Sequence, residues 1–164
     1  MPALNSLATK LYDRTHTYCE MVHFVHIYVI EPHPMSPDPS PYSGSVWPGS
    51  YSTKRQPKTY CERVANALDV EPLLTGYQRL LIDDLRPNGP DNPLWCTYGT
   101  NPNCAYLIAM DGTIDKVQLW VDTTDMETAI KDLLVRTKAI PTNSILSIIT
   151  LLIGFTFFIR ISNQ

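Results

Sequence analysis

Cysteine and histidine are the residues of this chain whose side chains are best suited to chemistry near neutral pH. The four cysteines are spread along the chain and form no CxxC pair: Cys19, Cys61, Cys96 and Cys104. Cys96 and Cys104 are close enough in sequence to form a redox pair. Cys61 stands at the start of a predicted helix, where we expect a small, partly buried apolar group or a reactive thiol. Cys96, which lies between Trp95 and Tyr98, is the candidate redox thiol.

Two histidines lie on a predicted strand and a third follows it. His23 and His26 are three residues apart, so they point to opposite faces of a strand and cannot share one metal ion. The sequence therefore predicts no metal site, and it predicts no cofactor. His33 follows Glu31 in a loop, where an imidazole with a pKa of about 6.5 can transfer protons. A solvated loop histidine is the other interpretation.

The composition indicates a globular chain and excludes a nucleic-acid binder. The formal net charge is −3 at pH 7, and lysine and arginine are scattered rather than clustered. The chain has 164 residues, 44% hydrophobic and 18% charged, which indicates one domain with an ordinary core. No secretory signal follows Met1, so we expect reduced cysteines in a cytosolic domain.

Hydrophobic periodicity and turn signals predict a mixed α/β domain over residues 1–138. The inward face of its second helix is predicted to consist of Val64, Ala65 and Leu68. The predicted elements are a helix over about 3–14, a buried strand over 22–30, a helix from the Thr59–Glu62 capping box to about 70, a strand over 79–82, strands over 104–110 and 113–121 joined by Asp111-Gly112, and a helix from the Thr124–Glu127 capping box. This order, α-β-α-β-β-β-α, resembles a thioredoxin-like fold that lacks its first strand.

A long loop over residues 32–57 interrupts these elements. The stretch from Glu31 to Pro57 holds seven of the fourteen prolines, six serines and two glycines. Loops of this length in compact domains tend to be functional, so we expect a lid whose aromatic residues Trp47 and Tyr51 contact a ligand. A disordered surface insertion is the alternative.

The C-terminal segment predicts a membrane anchor. Residues 139–159 carry no charge, and as a helix they would measure about 31 Å, the thickness of the hydrocarbon core. We expect a transmembrane helix over 139–161, with residues 162–164 as a short tail and membrane lipid as its partner. Arg136 and Lys138 before it, against the single Arg160, place the N-terminal domain in the cytosol. A buried core helix is the alternative.

Several segments together resemble the iodothyronine deiodinases and their microbial, deiodinase-like relatives of the thioredoxin superfamily. The strand ending in Tyr28-Val29-Ile30-Glu31-Pro32-His33-Pro34 is similar to the strand and EAHP segment of that family. The resemblance covers roughly residues 1–135 and continues through QPKTYCER at 56–63, LIDDL at 81–85, WCTYG at 95–99 and AYLI at 105–108.

The resemblance implies reductive thiol chemistry, in which a cysteine or selenocysteine attacks iodine or an oxidised sulfur and a thiol reductant regenerates it. It implies that His33 binds substrate or transfers a proton and that Glu31 assists. Pro102 corresponds to the cis-proline of thioredoxin folds, and Cys104 replaces an arginine that holds iodothyronine. The family nucleophile and the first strand would fall upstream of Met1, with that strand between strands 22–30 and 104–110. Without it, these two neighbours would keep unpaired edges or pair directly.

Two functions follow from these observations. The first is a membrane-anchored, deiodinase-like thiol oxidoreductase or reductive dehalogenase whose chain is catalytically incomplete. Its catalytic candidates are His33, Glu31 and Cys96, and its substrate-binding candidates are Trp47, Tyr51, Pro102 and Cys104. The second is a non-catalytic, membrane-tethered module that binds a ligand or partner.

Overall fold

A five-stranded mixed sheet with helices packed on it forms the domain, in a computed structural model that describes residues 2–41, 44–46, 53–85, 92–98, 103–138 and 156–160. The strands lie in the order β2-β1-β5-β3-β4. The elements in chain order are α1 (Pro2–Thr9), α2 (Tyr18–Met21), β1 (His23–Tyr28), α3 (Tyr60–Leu68), a 3-10 turn (Glu71–Leu73), β2 (Arg79–Ile82), α4 (Pro93–Tyr98), β3 (Ala105–Ile108), β4 (Ile114–Gln118), α5 (Thr123–Lys138) and β5 (Thr156–Arg160).

The strands β1 and β2 form the parallel pair that the apolar run after Val22 predicted. Val25 pairs with Arg79 and Tyr28 with Ile82, and the five residues from Phe24 to Tyr28 are all buried. The helix α3 connects the two strands, as parallel strands require a crossover. The N–H of Asp83 continues the register by donating to the carbonyl of Tyr28 at 2.8 Å. We use the term upper end for the end of the sheet at which β1 and β2 stop.

The two faces of the sheet pack against different helices. On one face, Phe24 and Leu107 contact the apolar sides of α1 and α5, with Leu4, Leu7, Met126 and Ile130 at the centre of the cluster. On the other face, Ile27 and Tyr106 contact α4 through Leu94, Trp95 and Tyr98. Trp95 and Tyr98 thus anchor a short helix to the core.

The predicted hairpin at Asp111-Gly112 is confirmed. The strands β3 and β4 pair antiparallel from Ala105–Gln118 to Ile108–Ile114, with a bulge near Leu107. Gly112 has a φ of +87°, which favours glycine, and Asp111 accepts hydrogen bonds from the N–H and hydroxyl of Thr113. Both strands are shorter than predicted because the chain turns away after Gln118.

The inward face predicted for α3 is wrong. Its buried residues are Arg63 and Ala67, followed by Val70, whereas Leu68 is 54% exposed and Ala65 is exposed. Cys61, expected to be partly buried, is also exposed. The buried face of α3 is rotated from the predicted one because Arg63 donates hydrogen bonds to backbone carbonyls in the interior. A hydrophobic pattern does not reveal such a contact. The Thr59–Glu62 capping box is confirmed.

Two predicted helix ends also differ. The first helix ends at Thr9 rather than near residue 14, because Asp13 accepts hydrogen bonds from the backbone N–H groups of Thr15 and His16 and turns the chain. Asp122, rather than Thr124, caps the N-terminus of α5: its carboxylate accepts from the N–H groups of Thr124 and Asp125. Glu127 of the predicted capping box instead forms ion pairs with Lys10 and Lys131.

The predicted transmembrane helix is wrong at its C-terminal part. Thr156–Arg160 is a strand, β5, that pairs antiparallel with β1 and parallel with β3. Residues 139–155 and 161–164 lie outside the described residues. Within the part of the chain that the structure describes, no helix is both long and apolar enough to cross a bilayer.

The place expected for a missing first strand is occupied. The strands β1 and β3 neither keep unpaired edges there nor pair directly. Instead β5 lies between them, and its backbone hydrogen-bonds to both neighbours. The sheet is closed from the C-terminal part of the chain because the neighbours' buried N–H and C=O groups need partners.

Candidate functional site

Glu31, three residues after β1, is the anchor of the long loop at the upper end of the sheet. The side chain is buried and accepts a hydrogen bond of 2.8 Å from the Tyr28 hydroxyl. Burial, followed by the nearby charge of Glu31, raises the pKa of Tyr28 well above its ordinary value, so its hydroxyl stays protonated as the donor. This bond ties the start of the loop to the last residue of β1.

The far end of the loop is tied to the same place through Gln56. Its side-chain oxygen accepts from the N–H of Glu31 at 2.9 Å, and its amide nitrogen donates to the carbonyl of Glu31 at 3.0 Å. Asp38 accepts two bonds from Arg55, at 2.6 and 2.7 Å, and one from the Gln56 N–H. The side-chain bond to Arg55 holds the pKa of Asp38 down at about 2. The described parts of the loop are therefore an ordered, cross-linked structure.

A buried cation sits below this loop. Arg63 of α3 is 1% exposed and donates to the carbonyls of Asp83 and Asp84, at 3.1 and 3.0 Å, and to the side chain of Asn92. The carbonyls of Asp83 and Asp84 directly follow β2, and a guanidinium has enough donors to bond to both at once. Arg63 thereby fixes the backbone that leaves β2.

The carboxylate of Asp83 positions α4. One oxygen accepts from the N–H of Leu94 and the other from the N–H of Trp95, both at 3.0 Å. These are first-turn N–H groups that the helix itself leaves unpaired. Because Asp83 directly follows β2, this contact places the start of α4 at the upper end of the sheet.

The upper end therefore brings together several of the predicted site residues. Glu31 is part of the buried network, and His33, two residues further along, is half-buried with its Nδ1 atom shielded from solvent. Cys96 is an exposed thiol on α4 that forms no disulfide. Cys104 is a free thiol buried among Ile27, Val29 and Tyr106, and burial raises its pKa to about 11. Trp47, Tyr51 and Pro102 lie outside the described residues.

Cys104 is chemically different from Cys96. A thiol whose pKa is about 11 is protonated at neutral pH, and the thiolate is the nucleophilic form. The side chain of Cys104 acts as a small apolar group in the cluster below α4. The two thiols are not joined by a disulfide.

Arg63 and Asp83 are the important residues of this site that the sequence did not single out. Both lie inside segments that carried the resemblance, QPKTYCER and LIDDL, but a charged residue at a helix start or strand end is usually solvated. A usable signal was the spacing of Arg63, Ala67 and Val70, which follows one helix stripe. Among the described residues, no group of three histidine, cysteine or acidic side chains is arranged to hold a metal ion.

Comparison with known proteins finds no match: no family model, no curated protein and no solved structure corresponds to this chain. Function must therefore be inferred from the geometry of the upper end of the sheet. A parallel pair of strands presents its carboxyl ends there, which is where open α/β sheets bind ligands. The arrangement offers a half-buried imidazole, an exposed thiol and a loop held by buried hydrogen bonds.

Proposed function

We propose that this chain is a deiodinase-like member of the thioredoxin superfamily, a thiol oxidoreductase or reductive dehalogenase by lineage, with its ligand site at the upper end of the sheet. The observation that carries the proposal is the buried Glu31, held between Tyr28 and Gln56. This network fixes the loop that carries His33, the residue that the family resemblance selects. A rigid support for a proton-transferring side chain is a requirement of acid–base catalysis.

In this proposal His33 transfers the proton and Cys96 supplies the thiol. The thiolate of Cys96 attacks the halogen of a carbon–halogen bond, a sulfur–halogen bond forms, and the carbon leaves with the electron pair and takes a proton from His33. A thiol reductant then attacks the sulfur and releases halide, and a second reductant thiol restores Cys96. Cys96 is exposed and lies on the helix that Asp83 holds at this end.

The test is a thiol-dependent dehalogenation assay on the full chain, with a small iodinated phenol as substrate and dithiothreitol as reductant. Halide release is measured for wild type, Cys96→Ser, His33→Asn and the matched control Cys61→Ser, which removes the other exposed thiol. We expect Cys96→Ser and His33→Asn to lose release and Cys61→Ser to retain it. Equal release from Cys96→Ser and wild type would contradict the role of Cys96.

A non-catalytic ligand-binding module is the second candidate, and a specific observation favours it. The charged groups at the upper end are occupied internally: Arg63 by backbone carbonyls, Asp83 by α4 and Asp38 by Arg55. Binding of the iodinated phenol without halide release, measured by calorimetry on the same protein, would support this candidate. Loss of that binding in His33→Asn would locate the ligand at the proposed site.

We also propose that the chain associates with membranes through its uncharged C-terminal segment. Because Thr156–Arg160 is a strand, the part available to contact lipid is residues 139–155, which contain no charge. Extraction of membranes with alkaline carbonate tests the proposal. Retention of the full chain in the pellet is expected, and its complete release would contradict insertion of residues 139–155 into the membrane.

A further inference from the structure

Two adjacent large apolar side chains are exposed where the chain leaves β4. Leu119 is 63% exposed and Trp120 is 68% exposed. Two hydrogen bonds hold the turn that carries them. The N–H of Val121 donates to the carbonyl of Asn103 at 2.8 Å, and the N–H of Asp122 donates to the side chain of Gln118 at 2.9 Å. The pair is therefore held outward by an ordered backbone, a feature of surfaces that dock on something apolar.

The register of the sheet shows at which end this pair lies. His26, Phe157, Ala105 and Gln118 form one row of paired residues across four strands. Beyond this row, β1 runs to Tyr28 and the chain continues to Glu31 and His33, while β4 runs out to Leu119 and Trp120. The exposed pair therefore lies at the upper end of the sheet, the end that holds the proposed ligand site.

The strand that follows the uncharged segment in sequence begins at the same end of the sheet. Thr156, the first residue of β5, pairs with Ile27 beyond the same row. The eleven residues before it, 145–155, contain no charged side chain and consist of leucine, isoleucine, phenylalanine, serine, threonine and glycine. Leu119 and Trp120 thus lie at the end of the sheet where β5, the strand that follows this segment in sequence, begins.

We propose that the upper end of the sheet rests on a lipid surface, with Leu119 and Trp120 inserted at the level of the headgroups. Tryptophan and leucine are the side chains that favour this depth, tryptophan because its ring is apolar and its N–H is polar. Zwitterionic lipid is the expected surface, because Asp122 lies two residues after Trp120 and would repel an anionic one. The inference rests on the membrane association proposed above and adds the orientation of the domain.

The orientation has a consequence for the ligand. A site whose edge faces the membrane receives compounds that are dissolved in lipid, so an apolar, aromatic substrate would reach His33 without crossing water. This favours a hydrophobic ligand over a charged metabolite at the upper end of the sheet.

The experiment uses the full chain with phosphatidylcholine vesicles, some of which carry brominated acyl chains that quench nearby tryptophan. Trp120→Phe identifies the emission of Trp120 among the three tryptophans. Tyr77→Trp is the matched control, because Tyr77 is 74% exposed and precedes β2 at the opposite end of the sheet. We expect the brominated lipid to quench the emission of Trp120 strongly and to leave the emission of the tryptophan introduced by Tyr77→Trp unchanged.

Flotation of Leu119→Gln/Trp120→Gln with the same vesicles supplies an affinity. We expect partition about tenfold weaker than wild type, which corresponds to about 1.4 kcal/mol, and unchanged partition for Tyr77→Gln. If wild-type protein floats but Trp120 is not quenched, the proposed contact of Leu119 and Trp120 with lipid is wrong, whereas the membrane association of the chain is still supported. Protein that does not float would overturn both, and concentration-dependent dimers that are lost in Trp120→Gln would assign the pair to a second copy of this chain.

Discussion

The protonation state of a buried histidine, His26, affects the stability of the domain. His26 lies on β1 with its Nε2 atom 2.6 Å from the side-chain oxygen of Gln78. The amide nitrogen of Gln78 in turn donates to the side-chain oxygen of Asn5 in α1 at 2.8 Å. Burial lowers the pKa of His26 to about 3, and the bond to Gln78 offsets only part of that effect. The imidazole is therefore neutral in the folded protein and links β1 to the segment before β2 and to α1.

We predict that the protein loses stability between pH 6.5 and pH 5. An unfolded chain protonates His26 below about pH 6.5, whereas the folded chain does so only near pH 3. The unfolded state binds more protons in this window, so the free energy of unfolding falls as the pH is lowered, by about 2 kcal/mol at pH 5. Carboxylates titrate mostly below this range. Urea unfolding at several pH values measures the slope.

Two variants separate this histidine from the others. His26→Gln should be less stable at pH 7 but should lose most of the slope between pH 6.5 and pH 5. His16→Gln, which replaces a histidine in the exposed turn after α1, should keep it. A slope in His26→Gln as steep as in wild type would show that another group is responsible.

We predict that Arg63 contributes more to stability than any surface arginine. Arg63→Met keeps the volume but leaves the carbonyls of Asp83 and Asp84 and the Asn92 side chain without this donor. Hydrogen bonds from a charged donor contribute about 1.5 to 3 kcal/mol each, but the cost of burying the guanidinium offsets part of their sum. We therefore expect the free energy of unfolding to fall by about 2 to 4 kcal/mol. Arg14→Met, at an exposed position, should change it by less than about 0.5 kcal/mol. Equal effects of the two variants in chemical denaturation would contradict this role.

At the scale of elements, a glycine determines how closely α2 approaches the start of β2. Gly76 has a φ of +74°, and a Cβ there would lie 3.0 Å from the sulfur of Cys19. Any side chain at position 76 would therefore cause two costs, a strained backbone at positive φ and an overlap with the buried thiol of Cys19. The packing of α2 on the sheet depends on both.

Gly76→Ala should destabilise the domain more than Gly112→Ala. Gly112 has a φ of +87°, but no atom lies within 4 Å of the place that an alanine methyl group would take, so its substitution measures the backbone cost alone, about 1 to 3 kcal/mol. We expect Gly76→Ala to lower the free energy of unfolding by at least about 1 kcal/mol more than Gly112→Ala does. In the double variant Gly76→Ala/Cys19→Ala, the smaller side chain at position 19 should remove part of this difference. Thermal unfolding measures all three. Equal losses for the two glycines would show that Cys19 gives way without cost.

At the scale of the whole molecule, the sheet depends on a strand from the far end of the chain. The strand β5 pairs with β1 along five residues and with β3 along three. Neither β1 nor β3 can close the interior of the sheet without it, because each would present an unpaired row of N–H and C=O groups. The C-terminal segment is thus part of the folded domain at Thr156–Arg160.

We predict that cutting the chain after Lys138 destroys cooperative unfolding rather than releasing an intact soluble domain. The fragment loses the central strand, and each unsatisfied buried backbone group costs about 1 to 3 kcal/mol against a typical net stability of about 5 to 15 kcal/mol. Circular dichroism during heating should show a broad change or aggregation for the fragment and a sigmoidal transition for the full chain. A sigmoidal transition in the fragment would mean that β1 and β3 pair directly.

Local sequence determined the elements whose signals lie within a few residues. The Asp111-Gly112 turn, the Thr59–Glu62 capping box and the apolar run of β1 depend on neighbours in sequence, and the structure contains all three. The sequence also predicts Glu31 as a site residue, and the structure places it at the upper end of the sheet beside His33. The tertiary structure alone decided which face of α3 is buried, because Arg63 depends on carbonyls from β2 and the segment after it. It also decided that Thr156–Arg160 is a strand. A mostly apolar segment satisfies its backbone equally well as a membrane helix or between two strands, and only the open positions beside β1 and β3 distinguish these outcomes.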